Sequence, residues 1–332
     1  MSDWNFSELA QALWKTCADN GIGSLLRPGQ RRRDAYAEAD AKRIDAQGEF
    51  DAQLILKGEK TLADFQLARS HRIARIEGRF EPDFDMEALP ALVAEQHVND
   101  LVRREVNIAK ALLHAEEELQ KDESPAPTEG VDGDWLRRWR DSAGEVSSED
   151  LQQLWGRLIA GEVKSPRTYS LRVFDIIRNM SSGDAGLVAK LAPLVIQGFV
   201  WRESGQEYLS KIGIDFDDVL YLEEIGVVAS SAGMLRRSWS NGDGIDSYHT
   251  LMYVQNLGLI IESPVKSAVA YLTGFALTRA GMELIKLCKF EADREYLIAV
   301  ANHLKTQGFT LKLVQLEDVD NEYVQVLTEV QL

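Results

Sequence analysis

The chain has 332 residues, a length that exceeds one typical domain and leaves room for a sizeable core. Its hydrophobic content of 45% and mean hydropathy of -0.23 are ordinary for a soluble protein, and no apolar run nears the roughly 20 residues that cross a bilayer. A formal net charge of -16 excludes a general nucleic-acid binder, whose footprint is basic.

In chain order, "WNFSELAQALWKTCADNGIGSLL" predicts a helix with Trp4, Leu9, Leu13, Trp14 and Cys17 on one face. Its polar face carries Asp3, Glu8, Lys15 and Asp19, not the basic residues of an in-plane membrane helix, so docking onto the protein body is expected. The start shows no basic region followed by an apolar core, so no secretory signal is expected and the location read is cytoplasmic. Cys17 and Cys288 have no metal or redox spacing and read as two reduced, buried thiols.

Residues 1–120 read as a helical arm. "DAYAEADAKRIDAQGEFDAQLILKGEKTLADFQLARSHRIARIEGRF" is rich in strong helix formers, with no proline between residues 29 and 81. Its stripe of Ile44, Phe50, Leu54, Leu62, Phe65 and Ile73 is too narrow to form a core alone, and a coiled-coil arrangement follows. The partner is either a second helix, "LPALVAEQHVNDLVRREVNIAKALLHAEEEL", with Leu92, Val98, Leu101 and Val106, or the arm of another copy. "FEPDFDMEALP" would supply the turn between the two helices. Residues 27–79 hold twelve Lys or Arg against nine Asp or Glu, opening with Arg31, Arg32 and Arg33, the candidate interaction cluster. Residues 80–132 hold four against fourteen, so the two segments could pair or simply face solvent.

Residues 121–134, "KDESPAPTEGVDGD", with two prolines and two glycines, read as the linker to a capped-helix core over 135–205. Trp135 and Trp139, one turn apart, should bury. Ser147 or Ser148 caps a helix whose face is Leu151, Leu154, Trp155, Leu158 and Ile159, with Gly161 placed to end it. Pro166 interrupts, Ser170 caps a helix through Phe174 and Ile177, and Ser181 or Ser182 caps the next. Glu162, Ser170 and Arg172, in and around the loop, form a candidate polar site, set against the plainer reading that they cap or solvate.

Residues 206–332 read as a winged-helix-like α+β module. "DFDDVLYLEEIGVVAS" gives a short helix stopped at Gly226, "LGLIIES" and "VAYLTGFALT" are strands, and Thr278 caps "RAGMELIKLC". The candidate recognition helix is acidic, and Arg236 and Arg237 behind it are the only nucleic-acid candidates, too few to reverse that charge. "FTLKLVQLE" and "YVQVLTEV" across "DVDNE" predict a terminal hairpin.

The block "DWLRRW…SSEDLQQLWGRLIAGEVKSPRTYSLRVFDIIRNMSSGDAGL" resembles the bacterial domain of unknown function 2806. The resemblance extends to "GIGSLLRPGQRRRDAYAEADAKRIDAQGE", "LYLEEIGVV" and "FALTRAGMEL". The block is also distantly similar to the abortive-infection alpha proteins, which share its "LW…L…GE…P…S" pattern. The resemblance implies no catalytic residues; through those distant relatives it implies a setting in defence against phage.

The expected fold is mainly α: a long N-terminal helical arm, a central helical bundle, and the C-terminal module with its hairpin. Phosphate-loop, dinucleotide and nucleophile-elbow motifs are absent, and the five histidines have no metal-ligand spacing. "SNGDGID" lacks the ligand positions of an EF-hand. No enzyme, cofactor or metal is therefore expected. The function read is a non-enzymatic interaction protein that assembles with copies of itself and presents its C-terminal module to an unidentified protein partner. The alternatives are a winged-helix DNA-binding regulator and an effector acting on membranes through its first residues.

Overall fold

The computed structural model describes residues 7–22, 53, 56–58, 72–76, 79–83, 89–202, 207–229, 235–241, 246–318 and 324–330. Helix α1 (Glu8–Asp19) starts at Ser7, whose hydroxyl accepts from Ala10 N and donates to Leu119 O, tying the cap to the body. Its apolar face docks there through Leu9, Ala10, Leu13 and Cys17, all buried. Most of the expected first arm helix, including Arg31, Arg32 and Arg33, lies outside the described residues.

Where that helix was expected to end, the chain is instead an antiparallel hairpin, β1 (Arg72–Ile76) with β2 (Arg79–Asp83), Ile76 opposite Arg79. β-branched Ile73 and Ile76 favour strand, and Pro82 cannot sit inside a helix. Helix α2 (Leu89–Leu119) then runs 31 residues, about 46 Å at 1.5 Å per residue. Among its described side chains those that enter the core lie in the second half, Ile108, Ala111, Leu112, Ala115 and Leu119 among them.

Helices α3 (Gly133–Gly144), α4 (Glu149–Lys164), α5 (Leu171–Asn179) and α6 (Ser182–Leu191) complete the helical part. Asp132 caps α3, and Ser181 with Asp184 forms a reciprocal capping box on α6. Trp139 and Trp155 are fully buried, with Trp139 Nε1 donating to Trp155 O at 3.0 Å. Helix α4 lies directly on α2 because residue 156 is glycine. A Cβ there would stand 2.7 Å from Ala111 O and from His114 Cβ. Asn107 and Gln152, both buried, close one end of this contact: Gln152 donates to Asn107 Oδ1 and Val146 O, and Asn107 donates to Gly144 O.

The second half is sheet. Strand β8 (Ala270–Leu277) is the centre of one antiparallel sheet, pairing with β3 (Phe199–Trp201), β4 (Val228–Ala229) and β5 (Leu235–Trp239). Strands β6 (Tyr248–Val254), β7 (Leu257–Ser263), β9 (Thr310–Asp318) and β10 (Val324–Val330) form a second, in the order β10-β9-β7-β6. Helices α7 (Glu207–Lys211) and α8 (Phe216–Glu224) lie between β3 and β4 in the chain. Helices α9 (Arg279–Leu287) and α10 (Arg294–Thr306) follow β8. Tyr296 on α10 fastens the edge of the first sheet, its hydroxyl accepting from Trp201 N at 2.7 Å and donating to Trp201 O at 3.2 Å. One continuous apolar core runs from Leu9 on α1 through the helices to Leu313 on β9.

The fold is therefore α+β, not mainly α, and the C-terminal half is not a winged-helix module. A wing needs one small hairpin beside a recognition helix. Here β6 and β7 belong to a different sheet from β8, and the terminal β9–β10 hairpin extends theirs. The misreading has a physical source. Phe199–Trp201 is buried on both faces, so it shows no alternation and reads as helix continuation. Gly161 does not end α4, which continues to Lys164; it admits the Tyr169 ring, which a Cβ would meet at 2.6 Å.

Two tests follow from this packing. Replacing Gly156 by Ala should destabilise the protein by about 1–3 kcal/mol, because backbone on α2 cannot yield to the added methyl; urea unfolding measures it. The segment 121–134 is held to α4 by Lys164–Asp122, 2.5 Å. Lys164, helped by Ser124, lowers the Asp122 carboxyl from 3.8 to about 2. A depressed folded pKa stabilises above the unfolded value and is lost as pH falls between the two. The stability gap between the native chain and Asp122→Asn should therefore close as pH falls from 3.8 to about 2.

Candidate functional site

Two places stand out among the described residues, an exposed helix face and a loop fastened by carboxylates. The first is the N-terminal half of α2. Counting 100° per residue from Ile108, Leu101, Val98 and Ala94 fall on the same side as buried Leu112, Ala115 and Leu119. The stripe that packs on α4 thus continues past the body, where Val93, Val98 and Leu101 are 53%, 57% and 48% exposed. Arg103 and Asp100 pair beside the stripe, while Arg104, paired with Glu145, falls within it by the same count. Single exposed apolar residues are normal; here three of them follow a core stripe along one helix.

The second is the loop "SPRTYS" between α4 and α5. Glu162, 1% exposed, turns its carboxylate into the loop and accepts from Arg167 N at 2.5 Å and Tyr169 N at 3.1 Å. Arg167 has φ of 68°, the left-handed region, where a residue with a Cβ costs about 1–2 kcal/mol. The bond from Glu162 holds it there, and the Arg167 guanidinium reaches Glu129 at 2.6 Å. From the opposite side Glu283 on α9 accepts from Ser170 N at 2.8 Å and Ser170 Oγ at 2.7 Å, and from Arg279 Nε at 3.2 Å. Trp135 Nε1 completes the grip on Tyr169 O at 2.9 Å.

Of the residues expected to form a polar site, Glu162 and Ser170 do come together around this loop. Arg172 is exposed on α5 and joins neither. Glu283, 113 residues from Ser170, carried no signal in the sequence, because its partner is brought by the fold alone. Burial raises the Glu162 pKa above its ordinary value, and the Glu283 charge adds to this, against the lowering by three loop N–H groups. All four carboxylate oxygens of the pair already accept hydrogen bonds, so the arrangement fastens the loop to α4 and α9.

Arg236 stacks on the Tyr271 ring at 3.6 Å, and Arg237 lies 4.9 Å from the Trp239 ring and donates to Gln197 O at 2.5 Å. Arg237 is thus engaged with the turn before β3, while Arg236 stays exposed on its ring. Burial lifts the thiols of Cys17 and Cys288 to about 12 and about 11, which keeps them protonated and unreactive. No group of three or more His, Cys, Asp or Glu suited to a metal ion occurs among the described residues, and none of their helices is long and apolar enough to cross a membrane.

The loop fastening is testable. Glu162→Gln keeps the shape but turns an NH2 group toward a backbone N–H, leaving a buried donor unanswered at about 1–3 kcal/mol. Chemical unfolding should show that loss, while the oligomeric mass of the folded chain stays as in the native protein.

No curated protein and no solved structure matches the chain. A family model does, over residues 93–301, from the exposed stripe of α2 through α10. This span covers more than half of the 332 residues, and the chain belongs to the family described as a protein of unknown function, DUF2806.

Proposed function

We propose that this protein is a non-enzymatic cytoplasmic interaction protein that associates with further copies of itself through the uncovered half of α2. The observation that carries this reading is the run of Val93, Val98 and Leu101, exposed on the line that buries Leu112 and Ala115 further along the same helix. Covering that line with a second copy removes apolar surface from water at about 25 cal/mol per Å2. Partners in such pairings supply the stripe each lacks.

The non-enzymatic part of the reading is supported by the engagement of Glu162 and Glu283 in the loop and by the two protonated thiols. A second face suits a protein partner. Helix α8 exposes Phe216, Leu220 and Tyr221 at 46%, 37% and 39%, among acidic Asp217 and Glu224. An apolar face with an acidic rim suits a partner whose own rim is basic. The likeness of the central block to the abortive-infection alpha proteins favours a setting in defence against phage.

Light scattering after size exclusion tests the assembly. The native chain is expected to run as a multimer and the double variant Val98→Asp, Leu101→Asp as a monomer with the native circular dichroism spectrum, because both positions are exposed. A native monomer, or a variant of unchanged mass, would overturn the reading.

A further inference from the structure

The carboxyl ends of α2 at Leu119, α4 at Lys164 and α9 at Leu287 meet around a cavity of about 210 Å3. Arg157, Lys164, Lys286 and Lys289 line it against Glu118 and Asp122, four cations to two carboxylates. That is a surplus of two positive charges in a chain of net charge -16. Helix carboxyl ends attract cations by themselves, which would account for the lysines if the terminal carbonyls were open. Three of them are taken: Leu119 O accepts from Ser7 Oγ at 2.7 Å, Gly161 O from Ser165 N at 2.9 Å, and Leu287 O from Arg157 Nη1 at 3.1 Å.

The two carboxylates are also taken, Asp122 by Lys164 and Glu118 by Lys289, each at 2.5 Å. Two cations are left over. Lys286 is exposed at the last turn of α9 and has no ionic partner among the described residues. Arg157 is held in place by its one bond to Leu287 O, and its Nε is buried without a hydrogen-bond partner. We propose that this cavity is a binding site for a small phosphate-bearing molecule, whose phosphate group lodges on Arg157 and Lys286 between the Lys164 and Lys289 ion pairs.

The chemistry selects phosphate. Two positive charges without a carboxylate match a dianion, and the Arg157 Nη2 left over from the bond to Leu287 O can donate to one of its oxygens. Tyr169, whose hydroxyl stands beside Gly161 on the cavity lining, carries a proton that it can donate to another. The volume falls below the roughly 300–1,000 Å3 of pockets for drug-sized molecules, so the phosphate and a small substituent fill it. A larger hollow of about 490 Å3 shares Glu118, Arg157 and Lys289 with it.

Isothermal titration of the full-length protein with inorganic phosphate at low ionic strength tests the site. The native chain is expected to bind one phosphate per chain, with affinity that falls as salt is added. Lys286→Glu should weaken binding about tenfold or more, as loss of a charge-assisted contact requires. Lys305→Glu, an equal change of charge at an exposed position on α10, should leave it unchanged. Circular dichroism confirms that both variants fold. Absence of binding to the native chain at millimolar phosphate, or equal weakening by the two variants, overturns the proposal.

Discussion

Gly156 lets the backbone of α4 approach α2 to within a distance that no side chain would permit, and much of the helical part is arranged around that approach. With α4 seated there, Trp155 and Leu158 fill the interior beside it, and Trp139 reaches over to give its indole proton to Trp155 O. Asn107 and Gln152 occupy the end of the same contact, Gln152 donating to Asn107 Oδ1 and Val146 O and Asn107 donating to Gly144 O. Buried amides of this kind stabilise little on balance, yet each would be costly unpaired, so they admit one relative placement of α2, α3 and α4.

The loop after α4 connects this helical part to the sheets. Glu162 belongs to α4 and Glu283 to α9, the helix that follows the central strand β8. Between them they hold the backbone of residues 167–170, and Trp135 adds a bond from α3. Two carboxylates so close to one another in a buried setting repel, and burial opposes the charge on Glu162. The loop N–H groups and Arg279 offset that cost. The polar cluster is thus best understood as the joint between two halves of one core, which is why its members come from positions so far apart in the chain.

Local chemistry was legible in the sequence and long-range chemistry was not. Ser181 and Thr278 cap the helices their patterns announced, and Gly226 takes the left-handed conformation expected of a stop. Trp135 and Trp139 bury as their one-turn spacing suggested. Ser170 misled in part: it stands at the N-cap of α5, but its hydroxyl goes to Glu283 and makes no capping bond. Ser148 likewise precedes α4 without a side-chain cap. Gly161 looked like a terminator because glycine ends helices; its actual use, admitting the Tyr169 ring, depends on a residue eight positions on. The strands were undercounted for the same reason. Strand β3 has no alternation because both its faces are covered, and the helix-rich composition before residue 80 concealed the β1–β2 hairpin.

The acidic balance of the chain makes its basic places informative. Most of its described cations are committed: Arg104 to Glu145, Lys211 to Glu295, Arg167 to Glu129, and Arg237 to the sheet. Exposed pairs of this sort add little stability, and their effect is to cancel charge locally so that the acidic surplus spreads over the surface. Against that background an uncommitted Lys286 beside an underused Arg157 is a local reversal of sign, placed where three helices end and where the loop fastening keeps the walls fixed. The exposed stripe of α2 is the matching departure from rule on the apolar side, a core pattern carried beyond the core. Both departures lie on rigid helices, and each leaves a surface whose natural complement, apolar in one case and anionic in the other, this chain does not itself provide among its described residues.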